Sequence, residues 1–199
     1  RTPATQPDST TVTVTGRPSS PGEWSQFRGA NRDNRSTETA LLSGWSDQGP
    51  EVAWTARGLG EGYSAVAVAD GKVFTMGNTG AGESVIALDL ATGRELWSTP
   101  TGGQAYRNGQ GNGPRGTPAF ADGRVYALGA SGQLVCLDAD SGRKQWGGNI
   151  LSQYGGENIG WGISESPLVD GDKVICTPGG QRATMIAINK NSGQAEWTA

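Results

Sequence analysis

The feature that most constrains the fold of this chain is a phrase of eleven residues that occurs three times. It reads "ALDLATGRELW" at 87–97, "CLDADSGRKQW" at 136–146 and "AINKNSGQAEW" at 187–197. Every copy has an Asp or Asn, a Ser/Thr-Gly pair and a tryptophan at fixed offsets: Asp89, Thr92, Gly93 and Trp97; Asp138, Ser141, Gly142 and Trp146; Asn189, Ser192, Gly193 and Trp197.

These residue types predict a tight β-hairpin whose second strand carries the tryptophan. An Asx side chain bonds the backbone two residues on, and glycine accepts the left-handed conformation that closes a short loop. A helix ending at the glycine is the alternative. The alternating, β-rich residues before each turn argue against that helix, because they lack a period of 3.6.

A second hairpin precedes each phrase. It reads "VAVADGKVFTMG" at 66–77, "PAFADGRVYALG" at 118–129 and "PLVDGDKVICTP" at 167–178. An apolar strand, an Asp-Gly turn and a β-branched strand form a strong hairpin signal. Each unit therefore has four strands, and four strands repeated at about 40–50 residues are typical of a propeller blade. The sequence predicts an all-β fold, a β-propeller of four-stranded antiparallel blades.

The units cover about residues 59–97, 111–146 and 160–197, and "PEVAWTARG" at 50–58 adds an isolated outer strand that contains Trp54. Propellers close with about four to eight blades. We therefore expect about three blades plus an N-terminal strand of a longer propeller, of about seven or eight blades. Because a lone four-stranded sheet cannot bury both faces, the four tryptophans are interpreted as wedges between adjacent blades. Stacking on a ligand is the alternative role for them.

The first 22 residues differ in composition from the rest of the chain. They are rich in Thr, Ser and Pro, and such a stretch cannot bury enough surface to offset its ordering entropy. We predict a disordered leader at 1–22, left after removal of a signal peptide or an upstream domain, and a propeller segment at 23–199. The alternating "TTVTVT" at 10–15 suggests a strand instead.

Composition excludes several classes of function. A formal net charge of −3 argues against a nucleic-acid partner, and no apolar run approaches the roughly 20 residues of a membrane-spanning helix. The chain has no histidine, which excludes a Ser-His-Asp triad and any His-ligated metal. Cys136 and Cys176 stand apart in apolar runs, which predicts two buried free thiols, with a disulfide as the alternative. No catalytic or metal-ligating residue is predicted.

Candidate binding residues lie at the ends of the connections between blades. The connections at 98–117 and 147–166 are both twenty residues long, and loops of that length in compact domains are usually functional or disordered. The innermost strand of each propeller blade lines the central channel, so the ends of these connections meet at one funnel. Aligning the units places Tyr63, Arg115 and Ser164 in equivalent positions.

The predicted ligand or channel residues are Tyr63, Arg115, Trp161 and Glu165. A guanidinium and a carboxylate in a low-dielectric funnel can bind a polar ligand or shift a pKa. An ion pair between Arg115 and Glu165 that only orders the channel wall is the structural alternative, and catalysis is a third reading. The segment "WSQFRG" at 24–29 is interpreted as packing against the rim, with docking of a partner as its alternative.

The repeated phrase resembles the repeat of pyrroloquinoline-quinone (PQQ) type propellers, a group that spans quinoprotein alcohol dehydrogenases and BamB-type outer-membrane assembly proteins. The resemblance covers about residues 23–199. "WSQFRGANRDNRS" at 24–36 and "GWGISESPLVDGDKV" at 160–174 are similar to secreted PQQ-like repeat proteins of planctomycete-type bacteria. For the dehydrogenases, the resemblance implies a quinone held between a tryptophan and a disulfide of adjacent cysteines, beside Ca²⁺ bound by Glu, Asn and Asp. This sequence has no adjacent cysteine pair and no matching calcium motif.

The sequence together with the resemblance favours a non-catalytic, extracytoplasmic binding or scaffold module, periplasmic or secreted, that uses the loops at its central funnel. A protein or polysaccharide partner is expected, no nucleic acid, and no cofactor. The competing reading is a PQQ-dependent alcohol or sugar dehydrogenase with Ca²⁺, whose cofactor site lies partly in further blades.

Overall fold

The computed structural model describes residues 22–39, 41 and 44–199, so the predicted leader lies, apart from Gly22, outside the described residues. The described chain forms three four-stranded antiparallel sheets with sequential strand order. The strands are β1 (Ala67–Ala69), β2 (Lys72–Thr79), β3 (Gly82–Asp89) and β4 (Glu95–Pro100); β5 (Ala119–Ala121), β6 (Arg124–Leu128), β7 (Gln133–Asp138) and β8 (Lys144–Asn149); β9 (Leu168–Asp170), β10 (Lys173–Cys176), β11 (Ile186–Asn189) and β12 (Ala195–Thr198). The prediction of four-stranded antiparallel blades is confirmed.

The Asp-Gly turns close the first hairpin of each sheet. In the first two sheets both turn residues have positive φ: 51° and 68° at Asp70 and Gly71, 49° and 71° at Asp122 and Gly123. Turns with two left-handed residues match the right-handed twist of the flanking strands. In the third hairpin Asp170 pairs with Lys173. Its two turn residues are therefore Gly171 and Asp172, one residue after the Asp-Gly pair that the sequence suggested.

The Asx side chains close the second hairpin of each sheet by accepting hydrogen bonds from residues two or three positions on. Asp89 Oδ1 accepts hydrogen bonds from the backbone N and the Oγ1 of Thr92 at 2.8 and 2.7 Å. Asp138 Oδ1 accepts the same two bonds from Ser141 at 2.9 and 2.6 Å. In the third sheet Asn189 Oδ1 accepts from the backbone amides of Asn191 and Ser192 at 3.0 and 3.1 Å, which includes the predicted bond two residues on.

The sheets stack face to face, and apolar cores fill the spaces between them. The first core joins the first and second sheets and includes Phe74, Val85, Val125 and Val135. The second core joins the second and third sheets and contains both cysteines, buried and free. The outer face of the first sheet, with Val73, Ile86 and Leu88, is covered by residues 54–59. Opposite faces of one strand thus serve different cores, as the two-residue period of a strand requires.

Three of the four tryptophans pack on the Asx turn of the following sheet, whereas Trp197, on the last strand, is 38% exposed. The indoles of Trp54, Trp97 and Trp146 lie over Gly93, Gly142 and Gly193, where an added Cβ would overlap the ring. Their Nε1 atoms donate to the carbonyl oxygens of Leu90, Ala139 and Lys190 at 2.9, 3.1 and 3.0 Å. Because the turn glycines have φ of 68–72° and no side chain, the same glycine closes the turn and accepts the ring.

One helix interrupts the all-β pattern. Helix α1 (Ile150–Tyr154) follows β8 directly, inside the connection expected only as a long loop. Asn149 caps its first turn by accepting a hydrogen bond from the Ser152 amide at 2.9 Å, and Gly155 ends it with φ of 72°. The helix buries Ile150 and Tyr154 in the second core. No helix among the described residues has the length and apolar character needed to cross a membrane.

Residues 24–32 cross the inner edge of all three sheets. The contacts are Trp24 with Val68 of β1 (N to O 2.7 Å and O to N 2.9 Å), Ser25 O with the Phe120 amide of β5 (2.7 Å), and Arg32 Nη2 with Val169 O of β9 (3.1 Å). Val68, Phe120 and Val169 are the middle residues of their strands. The segment expected at the rim therefore lies along the innermost strands, where it pairs edge groups that would otherwise be open.

Candidate functional site

A cavity of about 340 Å³ opens where the innermost strands begin. Its walls come from the segments that precede β1, β5 and β9 and from the N-terminal segment: Gln26, Phe27, Arg32, Tyr63, Ala65, Arg115, Thr117, Ser164, Glu165, Ser166, Pro167 and Leu168. The equivalent positions Tyr63, Arg115 and Ser164 therefore meet at one place, and Glu165 joins them. The volume lies within the range of small-ligand sites, about 300–1,000 Å³.

Hydrogen bonds between neighbouring segments hold the walls of this cavity. The Tyr63 amide donates to Pro114 O at 2.8 Å, and Ser64 Oγ donates to Gly116 O at 2.9 Å. Farther around, the Thr117 amide donates to Ser166 Oγ at 2.8 Å. Gly116 allows this approach, because a Cβ there would overlap the backbone of Glu165. Backbone groups and serine hydroxyls of neighbouring segments thus hold the walls, and Tyr63 and Arg115 line the cavity.

Arg115 is held between two aromatic rings. Its Cζ lies 5.4 Å from the ring centroid of Tyr63 and 5.1 Å from that of Tyr106. Its Nη1 and Nη2 donate to the carbonyl oxygens of Gly113 and Gly111 at 2.6 and 2.9 Å. Cation–π contacts and carbonyl bonds fix the plane of the guanidinium. Because a guanidinium carries five N–H donors, Arg115 keeps donors available to a ligand.

The ion pair considered between Arg115 and Glu165 is not formed. Arg115 takes part in none of the ion pairs within the part of the chain that the structure describes. Glu165 instead accepts a hydrogen bond at Oε2 from the Thr177 amide at 2.9 Å, which draws its carboxylate toward the third sheet. The stack of tyrosine rings and the backbone carbonyls satisfies Arg115 in place of the carboxylate.

Trp161 stands outside the cavity wall. Half of its surface is exposed, and the neighbouring Gly162 packs on the ring of Tyr106. Phe27 and Tyr63 are also exposed, by 53% and 64%. Of these three exposed aromatic residues, Phe27 and Tyr63 line the cavity and Trp161 does not.

Arg32 and Gln26 are cavity residues that sequence reasoning missed. Arg32 Nη2 donates to Gln26 Oε1 at 2.7 Å, and Arg32 adopts a positive φ of 56°. Burial lowers the pKa of the Arg32 guanidinium below its ordinary value, and the nearby charge of Asp170 opposes that shift. No sequence signal placed Arg32 at the funnel, because its partner Val169 lies 137 residues away along the chain.

The described residues do not assemble the quinone and calcium site that the resemblance implies for dehydrogenases. No group of three or more Cys, Asp or Glu side chains in the described ranges is placed to hold a metal ion. Cys136 and Cys176 are both buried in the second core. Burial raises the pKa of Cys136 to about 11 and raises the pKa of Cys176 as well, so neither thiol has the character of a reactive thiolate.

Comparison with known proteins finds similarity to outer membrane assembly factors and to a quinohemoprotein alcohol dehydrogenase. A family described as outer membrane protein assembly factor BamB matches residues 34–199. The outer membrane protein assembly factor BamB of Salmonella typhimurium is 29% identical over 109 residues, which is 51% of this chain and 25% of that protein. The quinohemoprotein alcohol dehydrogenase ADH-IIG of Pseudomonas putida is 25% identical over 185 residues, 89% of this chain and 25% of that protein. The chain thus spans about a quarter of the length of these curated relatives.

A solved structure supports the architecture. Europium-containing methanol dehydrogenase superposes with a TM-score of 0.63 at 23% identity, over 90% of this chain and 32% of that chain. At this identity the likeness concerns the fold alone. It agrees with the radial packing of four-stranded sheets deduced from the repeat.

Proposed function

The chain belongs to the family of the outer membrane protein assembly factor BamB, and from that premise we propose that it is a non-catalytic binding module that acts outside the cytoplasm. The family match confirms the resemblance drawn from the repeated phrase. A protein partner docks on the face where the inter-blade connections end, with the cavity at its centre.

The observation that carries this proposal is the stack of Tyr63, Arg115 and Tyr106 at the cavity. Arginine, tyrosine and tryptophan dominate the energetics of protein interfaces, because they offer large contact areas and directional donors. Exposed Phe27 and Trp161 lie on nearby segments. A side chain held before binding loses little conformational entropy on binding, which favours affinity.

The charges of the cavity favour an acidic group on the partner. Arg32 and Arg115 both line it against the single carboxylate of Glu165. Neither guanidinium belongs to an ion pair among the described residues. Guanidinium groups bind carboxylates through paired, charge-assisted hydrogen bonds. We therefore propose an acidic side chain or a chain terminus of a protein partner as the group that enters the cavity.

The test is capture of partners from the extracytoplasmic fraction of the native cells, with purified protein and chemical crosslinking. Arg115→Lys keeps the charge but loses the planar stack and the paired carbonyl bonds. We expect it to weaken capture by at least about tenfold, which is the effect of removing one interface hot spot. Tyr63→Ala should act in the same direction.

Trp45→Ala is the matched control, since Trp45 is 66% exposed and lies outside the cavity wall. Capture that survives Trp45→Ala but not Arg115→Lys supports the proposal. Failure of the wild-type protein to retain any partner, or equal capture by all variants, contradicts it. Fractionation of the same cells tests the proposed location, which a cytoplasmic protein would refute.

The competing candidate is a quinone-dependent alcohol dehydrogenase, because the dehydrogenase relative aligns with 89% of this chain against 51% for the BamB relative. If bound, a quinone would supply the oxidising group. The described residues do not provide a cluster of carboxylates for its calcium ion. The test adds PQQ, Ca²⁺ and a primary alcohol or an aldose to the protein and follows reduction of a dye. If the dye is reduced, the binding proposal is wrong and the dehydrogenase function takes its place.

A further inference from the structure

The carboxyl group of Glu83 is fully buried near the start of β3. It precedes the apolar run 85–88, which gives no hint of a role for a charge. In the register of β2 and β3 it lies directly opposite Asn78. Its backbone carbonyl accepts hydrogen bonds from both the amide and the hydroxyl of Thr101, at 2.8 and 3.0 Å. The position of Glu83 is therefore fixed by both neighbouring segments.

The side chain of Glu83 crosses from the first sheet to the second. Its Oε1 accepts a hydrogen bond at 3.0 Å from the amide of Ala130, in the turn between β6 and β7. A Cβ on Gly129 would overlap Oε2, so the carboxyl lies directly on the backbone of that turn. This close packing leaves little space for a hydrated cation beside Oε2.

Two acceptor atoms remain without donors at this place. Among the described residues, the buried side-chain atoms that lack a partner are Asn78 Oδ1 and Glu83 Oε2. The orientation of the Asn78 amide is set by its Nδ2, which donates to Tyr106 O at 2.9 Å. Directly opposed residues of an antiparallel pair have Cβ atoms about 4.5–5.5 Å apart. Two acceptor oxygens cannot bond each other unless one carries a hydrogen.

The charges around Glu83 do not balance an ionised carboxylate. Burial raises its pKa, and the backbone amides of Ala130 and Ser131 and the charge of Arg115 oppose that shift. Lys144 Nζ is committed to Thr101 O at 3.3 Å. No ion pair of the described residues includes Glu83. A buried carboxyl without a paired cation is more stable as the neutral acid.

We propose that Glu83 is a neutral carboxylic acid in the folded protein and donates its hydrogen to Asn78 Oδ1. One proton then satisfies both acceptors within the first sheet, while the Ala130 bond joins Glu83 to the second sheet. Asn78 in turn holds the backbone of Tyr106, whose ring stacks on Arg115. Glu83 is thus a positioning residue for the cavity wall, and loss of its proton loosens that wall. This inference does not depend on which partner binds.

The first test compares wild-type protein with Glu83→Gln by urea unfolding between about pH 5 and pH 8. An acid whose pKa is raised by folding stabilises the native state below its unfolded pKa of about 4.5, and that stability is lost as the pH rises through the folded pKa. For one proton, the unfolding equilibrium constant of the wild type rises by up to about tenfold per pH unit in that window. Glutamine keeps the Ala130 bond and donates Nε2–H permanently, so the variant should lack this rise.

Glu61→Gln is the control, because Glu61 is exposed and paired with Arg107 in the same region, and it should keep the wild-type slope. A Glu83→Gln variant with an unchanged slope overturns the proposal. The second measurement needs no variant. Infrared spectra of the native protein above about pH 6, where ordinary carboxyls are ionised, should retain one carboxylic-acid band. Its absence would show an ionised Glu83 with a bridging water and would equally overturn the proposal.

Discussion

The packing of each tryptophan on the next turn can be tested with two glycines of the second sheet that share a conformation but not an environment. Gly142 has φ of 68° and lies under the ring of Trp97, whereas Gly123 has φ of 71° and no atom near the place of a Cβ. Alanine at either position meets the same left-handed backbone. Only at Gly142 does it also meet an indole.

The expected magnitudes follow from that difference. The left-handed conformation costs a residue with a Cβ about 1–2 kcal/mol, so Gly123→Ala should lower the free energy of unfolding by about that amount. At Gly142 the ring must also move, and overpacking of this kind costs typically about 1–3 kcal/mol more. Trp97 would lose its Nε1 bond to Ala139 O at 3.1 Å if the ring tilted away. The sum for Gly142→Ala is about 2–5 kcal/mol.

Urea unfolding followed by far-UV circular dichroism measures both losses, and a double-mutant cycle isolates the indole. In a Trp97→Ala background the ring is absent, so Gly142→Ala should cost clearly less than in the wild type. It should still cost more than Gly123→Ala, because the added Cβ at Gly142 also meets Thr99 Oγ1 at 2.8 Å. Equal losses for the two glycine variants in the wild-type background would refute the reasoning. So would a Gly142→Ala penalty that Trp97→Ala leaves unchanged.

Three further outcomes are expected. Trp97→Phe should lower the free energy of unfolding in urea by about 1 kcal/mol beyond its smaller apolar area, because the carbonyl that accepted the indole N–H loses its partner. Hydrogen bonds lower the pKa of Asp89 and Asp138. The stability that these two carboxylates contribute is therefore present above the unfolded pKa and is lost as the pH falls through the folded pKa. Between about pH 7 and pH 3, the free energy of unfolding in urea should fall less for the double Asp→Asn variant than for the wild type. A thiol-reactive dye should leave Cys136 and Cys176 unmodified in the native protein at about pH 8 and label both in denaturant, and labelling of the native protein would contradict their burial.

Local patterns were sufficient for the blades. The Asx, Ser/Thr and Gly residues of each turn act within five residues of one another, and an Asp-Gly turn between β-branched runs specifies its own hairpin. Because both hairpin motifs occur three times, they predicted the four-stranded sheets and the equivalence of Tyr63, Arg115 and Ser164. The resemblance to a known repeat family rested on the same residues.

Contacts between distant segments decided the candidate site. Arg115 stacks between Tyr106 of its own connection and Tyr63 of the segment before β1, instead of pairing with Glu165. Arg32 enters the cavity through a segment that crosses three sheets. Helix α1 forms because its apolar residues find a core between the second and third sheets.

The sequence by itself determined the repeating unit, the turns that close it and the positions of the tryptophans, since each depends on residues that are near neighbours along the chain. The tertiary structure decided which turn each tryptophan covers, which groups share the cavity and which buried oxygens lack a donor. These depend on the separation of side chains in space, and the free energies of burial and hydrogen bonding act on that separation rather than on distance along the sequence.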